Sequence, residues 1–197
     1  MCSPPPPVVY IHSSYIVDEQ LNKQVVNDIT LQGRGDALGL AITRNVCQGS
    51  CCVFNRSLMQ YLKRMPRDFV CMHDWWTYLV CLAVGGKVIT DARPLILYRQ
   101  HAANVVGVER SILHRVLNRL KMIFGNTSHY RRDYCRMLLS LYTDVMSENS
   151  KKIVAMAANY TNSFYAGLRL LFDKDFYSGT SYWYSFTFAF SVITRTL

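Results

Sequence analysis

Residues 72–86 read MHDWWTYLVCLAVGG. An uncharged, mostly apolar run from Trp75 to Val84 is bracketed by His73-Asp74 in front and Gly85-Gly86 behind. An acidic residue at the start and glycine at the end punctuate a helix. Apolar side chains cover most of its circumference, so the helix is predicted to be buried on several sides.

Short β-branched and apolar runs lie on either side of this helix. Lys87–Thr90 and Leu95–Arg99 read as two short strands, and Val46–Phe54 as another with Gly49 inside it. Glycine within a strand marks a close approach by another backbone or a ligand. Val8–Ile11 reads as a buried strand behind a Pro4–Pro7 spacer in the polyproline II form. Residues 56–63 read as a helix ending before Pro66. Residues 18–45, with GRGDALG at 33–39, read as a long loop holding a short helix. Strands interleaved with helices predict an α/β arrangement for residues 8–107, after a Pro-rich stub at 1–7.

Beyond Gly107 the period changes to that of a helix. Three apolar stripes follow: Ile112, Val116, Leu120 and Ile123; then Tyr134, Met137, Leu138, Leu141 and Val145; then Ile153, Ala157, Tyr160, Phe164, Leu168 and Leu171. They predict three helices and a helical tail over 108–197. Residues 176–194 hold no charge, eight aromatic residues and seven Ser or Thr. Tyr182, Tyr184, Phe186, Phe188, Phe190 and Val192 alternate, which on pattern alone is a strand. The aromatic content also suits a membrane interface, or a tail packed on the preceding helices.

The chain has 197 residues, half of them hydrophobic, and a net charge of +9. That excludes a disordered chain, and the lack of a long apolar run excludes a polytopic membrane protein. Residues 56–136 carry 14 basic and 5 acidic side chains, while the remainder is balanced. The bias points to an anionic partner, or to a plain solvated basic face. The seven cysteines are an odd number set mostly in apolar runs, with no CxxC pair. They predict a reducing, cytoplasmic compartment with neither a disulfide framework nor a structural zinc site. The basic stretch Arg110–Lys121 has no aromatic interleaving or zinc-finger spacing, so no nucleic-acid partner is expected.

Three clusters carry chemistry-bearing residues. In His73-Asp74-Trp75-Trp76, backbone N–H groups and the helix dipole favour a carboxylate that takes a proton from an alcohol. The plain alternative is a cap above an aromatic core. In Tyr98-Arg99-Gln100-His101 with Asn104, the guanidinium fork and imidazole suit phosphate or a metal, and the amides suit sugar hydroxyls. Loop capping is the alternative. In NVCQGSCCVFN at 45–55, bare backbone at Gly49-Ser50 borders a substrate or simply packs a strand.

Taken in order, NVCQGSCCVFNR at 45–56, MHDWW at 72–76 and GGKVITDARPLILYRQHAANVVG at 85–107 resemble the C-terminal half of a bacterial inverting family-2 glycosyltransferase. The resemblance is to the rhamnosyltransferase-like kind of surface polysaccharide assembly. It implies a partial GT-A fold followed by a helical tail, at the cytoplasmic side and the inner face of the plasma membrane. It implies Asp74 as the base that deprotonates an acceptor hydroxyl. It implies His101, Arg99 and Gln100 near the donor diphosphate, with His101 beside a divalent Mg or Mn ion. His73, Trp75, Trp76, Gly49, Ser50 and Asn104 would border the acceptor.

The sequence departs from the family at its start. The IPTYN-like strand and the DxD motif that holds the metal are absent, Ser13-Ser14 stands where an Asp is usual, and Gln48-Gly49-Ser50 replaces Thr-Gly-Cys. The expectation is a truncated or split chain without the donor-binding half, partnered by a nucleotide-sugar, a glycan or lipid-linked acceptor, and the missing half in trans. The alternative is a non-catalytic accessory module that binds a glycan acceptor, a partner enzyme or an anionic membrane. Without neighbouring strands, residues 8–107 are expected to expose a sheet edge and an apolar face.

Overall fold

The computed structural model of the chain describes residues 4–32, 35–99, 130–176 and 182–195. Gln100, His101 and Asn104, and the first predicted tail helix, lie outside these residues.

The protein is mixed α/β, and its centre is one strand, β1 (Val8–Val17). It is longer than the Val8–Ile11 run predicts. Strand β4 (Lys87–Arg99) runs parallel to it along its whole length, from Val8 opposite Lys87 to Val17 opposite Arg99. The other edge of β1 is shared by two antiparallel partners. Strand β3 (Cys52–Phe54) takes Val9–Ile11, and β2 (Lys23–Asn27) takes the Ser14–Val17 end.

Two sequence expectations change here. The two strands predicted at 87–90 and 95–99 are one strand, with register shifts where Ser13 meets Pro94. Proline gives no ladder hydrogen bond, and an edge strand tolerates that. The strand predicted over Val46–Phe54 is confined to Cys52–Phe54, because Gly49–Cys51 turns into a 3-10 helix. Strand β2 was not foreseen; its residues are exposed, so no buried face imposes an apolar pattern on them.

Helices α1 (Leu38–Thr43), α2 (Arg56–Leu62) and α3 (His73–Ala83) follow the expected order. The amino end of α2 is fixed by Asn55, whose Oδ1 accepts from the amides of Leu58 at 3.0 Å and Val8 at 3.1 Å. Its Nδ2 donates to the Pro6 carbonyl at 2.8 Å. One side chain thus caps a helix and clamps the start of the central strand. Helix α3 ends at Gly85, which has φ of 77°, and the Lys87 amide donates to Pro7 at 2.8 Å. The carboxyl end of α3 therefore lies at the amino end of β1, and α3 runs back along the sheet. Its 11 residues span about 16 Å, so its amino end sits beside the middle of β1.

The tail holds α4 (Tyr130–Tyr142), α5 (Glu148–Asn159), α6 (Phe164–Leu171) and α7 (Tyr182–Ile193). The third apolar stripe is two helices, because Ser163 caps a new one by accepting from the Ala166 amide. The strand suggested over 182–192 is a helix. One apolar cluster runs from Val9 and Ile11 through Trp76 and Leu138 to Phe188 and Val192, so the tail and the sheet share a core. Tyr134 of α4 is central to it. Its ring packs edge-on against Trp75, Trp76 and Phe69, and its hydroxyl accepts from the Met72 amide at 2.8 Å.

Candidate functional site

Asp74 lies in the first turn of α3; the cap position is Met72, with no side-chain cap bond. The carboxylate is instead held at both oxygens. Oδ2 accepts from the Gly49 amide at 3.1 Å and Oδ1 from the Trp75 amide at 2.7 Å. Asp74 is half-buried and His73 exposed, so the pair faces solvent from a fixed base.

Gly49 is closely approached, but by the His73 side chain and not by another backbone or a ligand as its place in a strand predicted. A Cβ on Gly49 would lie 2.6 Å from His73 Nε2 and 3.6 Å from the Asp74 Cβ. Only glycine lets the Gly49 amide reach the carboxylate while the imidazole sits against it. Ser50 is exposed beside this contact. Its hydroxyl lies 3.8 Å from the Cys51 sulfur.

The Asp74 charge is felt by the Cys47, Cys52 and Cys71 thiols. Burial pushes the Cys71 thiol up, and the Asp74 charge adds to it. Cys47 is pushed up by its hydrogen bond to Cys52, by burial, and by the charges of Cys52 and Asp74. The six described cysteines are free.

Trp75 and Trp76 are placed differently from the acceptor wall the resemblance implies. They are 4% and 2% exposed, in the core. Trp75 Nε1 donates to the Ala41 carbonyl at 2.7 Å. Both rings stack edge-on with Tyr134, so they support the Asp74 turn from behind. Arg99 is exposed at the last position of β4, opposite Val17.

The sequence reading missed a polar cluster on β1 and β4. Asp91 accepts from the Tyr10 hydroxyl at 2.6 Å and from Arg93 Nη2 at 2.6 Å. The Arg93 guanidinium, joined by the Tyr10 hydroxyl, holds the Asp91 carboxyl well below the usual carboxylate range. The cluster is self-satisfied and pins β4 where its register shifts. TDARP at 90–94 was a legible signal for such a local pair.

Among the described residues, no three His, Cys, Asp or Glu side chains gather to hold a metal ion. His101, which the resemblance places beside a Mg or Mn ion, lies outside the described residues. A cavity of about 450 Å³ lies at the other end of α3, lined by Gly85, Gly86, Asp36, Asn149 and Lys174. It is separate from the Asp74 turn. The chain matches no family model, no curated protein and no solved structure.

Proposed function

We propose that this chain is the acceptor-side part of an inverting, nucleotide-sugar-dependent glycosyltransferase with a GT-A arrangement, acting in surface polysaccharide assembly. The observation that carries the reading is the Asp74 carboxylate. It is clamped by the Gly49 and Trp75 amides at the solvent-facing start of α3, with the His73 ring seated where a Cβ on Gly49 would lie.

A carboxylate fixed by two N–H donors keeps lone pairs free to accept a proton from an incoming hydroxyl. Fixed geometry is what general base catalysis requires. The proton passes from the acceptor oxygen to Asp74 as that oxygen attacks the anomeric carbon, and the nucleoside diphosphate leaves from the opposite face. His73, Gly49 and Ser50 border the acceptor oxygen. Arg99 and the following Gln100 and His101 are proposed to face the diphosphate. Donor binding, with its Mg or Mn ion, falls to IPTYN-like and DxD sequence that these 197 residues do not contain.

The sheet supports this division. Among the described residues β4 pairs only with β1, and Ile89, Leu95 and Leu97 along it are exposed. A donor-binding half supplied in trans or by fusion would pair there. The test is to supply such a half and measure nucleoside diphosphate release from a panel of nucleotide-sugars. Acceptor-dependent release by the assembled protein is the expected result. Release that never depends on residues 8–99 of this chain would remove the reading.

A further inference from the structure

Helices α6 and α7 both break the rule that a helix on a protein surface turns its polar side outward. On α6, Leu170 is fully buried, while Phe164, Tyr165 and Phe172 are 70%, 81% and 74% exposed, with Leu168 between them. The spacing of 164, 168 and 172 makes one stripe opposite Leu170. On α7, Phe188 and Val192 are buried, Phe188 being stacked on Phe176 at 6.0 Å. The opposite side carries Phe186, 62% exposed, Phe190, and Ile193, 71% exposed.

The two outward apolar faces adjoin. Gly167 of α6 lies against Val192 of α7. A groove of about 70 Å³ between the helices is lined by Phe164, Leu168, Leu171, Val192, Ile193 and Arg195. Arg195 at this groove and Arg169 on α6 are exposed. Neither helix contains an acidic residue. Asp173, just past α6, is half-buried, and its carboxylate accepts from the Asp175 amide at 3.0 Å.

We propose that the α6–α7 pair is a docking surface for a bilayer bearing anionic lipid. Four exposed aromatic side chains and Ile193 seat at the level where headgroup meets acyl chain, which is the preferred depth of amphipathic aromatic residues. Arg169 and Arg195 pair with headgroup phosphates at the rim, and the groove takes the first carbons of an acyl chain. Helix α7, about 18 Å long at 12 residues, lies on the bilayer. The groove shares no residue with the Asp74 turn, and lipid binding there does not require the transferase reading.

The test uses the whole chain and needs no turnover. Sedimentation with vesicles of phosphatidylcholine alone, and of phosphatidylcholine with phosphatidylglycerol, reads binding and its charge dependence. The expected result is binding that requires phosphatidylglycerol and weakens with salt. The double substitution Phe164→Ser with Phe172→Ser lowers binding about tenfold, since each removes apolar area that enters the bilayer. Arg195→Gln lowers it on anionic vesicles only. Circular dichroism melts verify that both variants fold, and Phe186→Ser gives a second readout on α7. Equal binding to neutral vesicles, or undiminished binding by the folded double variant, overturns the proposal. Concentration-dependent self-association that the same substitutions abolish, without vesicle binding, overturns it in favour of a second copy of the chain.

Discussion

The Gly49 amide donates to the Asp74 carboxylate across 3.1 Å, which ties the turn before β3 to the first turn of α3. The same glycine touches His73, so one backbone position controls both polar side chains at the start of α3. The atom that a Cβ would meet first is the far end of the His73 ring. Gly49→Ala is therefore expected to fold with a loss of about 1 kcal/mol or less while pushing the ring aside. Urea denaturation checks the first statement. The NMR signals of the His73 ring check the second, and an unmoved ring would show that the contact is not limiting.

Asn55 predicts a much larger effect from a residue that looks like a surface sequon. Asn55→Ala removes acceptors from the Leu58 and Val8 amides and a donor from the Pro6 carbonyl. Losing a cap and a strand clamp together costs roughly 2–4 kcal/mol. Asn55→Asp keeps both acceptors and should recover most of that. Equal urea midpoints for the two variants would contradict the clamp.

Gly39 of α1 meets the tail. A Cβ there would fall on the Asp175 backbone carbonyl, which has no rotamer to move. Gly39→Ala is expected to cost about 2 kcal/mol or more and to free the 174–176 turn from α1. Faster amide exchange at Phe176 in a folded variant is the specific readout.

Stability should fall in alkali. Burial pushes the Cys81 thiol up from 9.0 to about 11 and the Tyr142 hydroxyl up from 10.0 to about 12. Both groups bind their proton more tightly when folded, so their contribution is complete below the unfolded values. It is lost as pH rises from about 9 to about 12, at a scale of 1–3 kcal/mol per group. Tyr142 also donates to the Tyr61 carbonyl at 2.9 Å. Tyr142→Phe should lower stability at neutral pH and flatten the alkaline fall. Urea midpoints taken across that range test both.

The helices nearest Asp74 were legible because their boundaries are written locally. Asn55 before α2, the acidic start of α3 and Gly85 after it are all readable from their own neighbourhoods. Helix α7 was not, because a spacing of four fits both periods. Phe188 and Val192 lie on one side of a strand and also on one side of a helix, and only the exposure of Phe186 and Phe190 relative to them separates the two. At the candidate site, the sequence singled out Asp74 and Gly49, which the structure brings together. It did not show that His73 fills that approach, and it left Trp75 and Trp76 open between an acceptor wall and an aromatic core, because the Tyr134 ring that packs on both comes from a distant part of the chain.

Asp74 as the proposed base is put to the test by the turnover rate of Asp74→Asn, with the chain joined to a donor-binding half that confers activity. Asparagine keeps the size of the side chain and one oxygen that can accept from either the Gly49 or the Trp75 amide, but cannot take up the acceptor proton. The expected result is a correctly folded protein whose turnover number falls by about 10²–10⁴. A fold-intact Asp74→Asn protein that transfers sugar at the unsubstituted rate would contradict it.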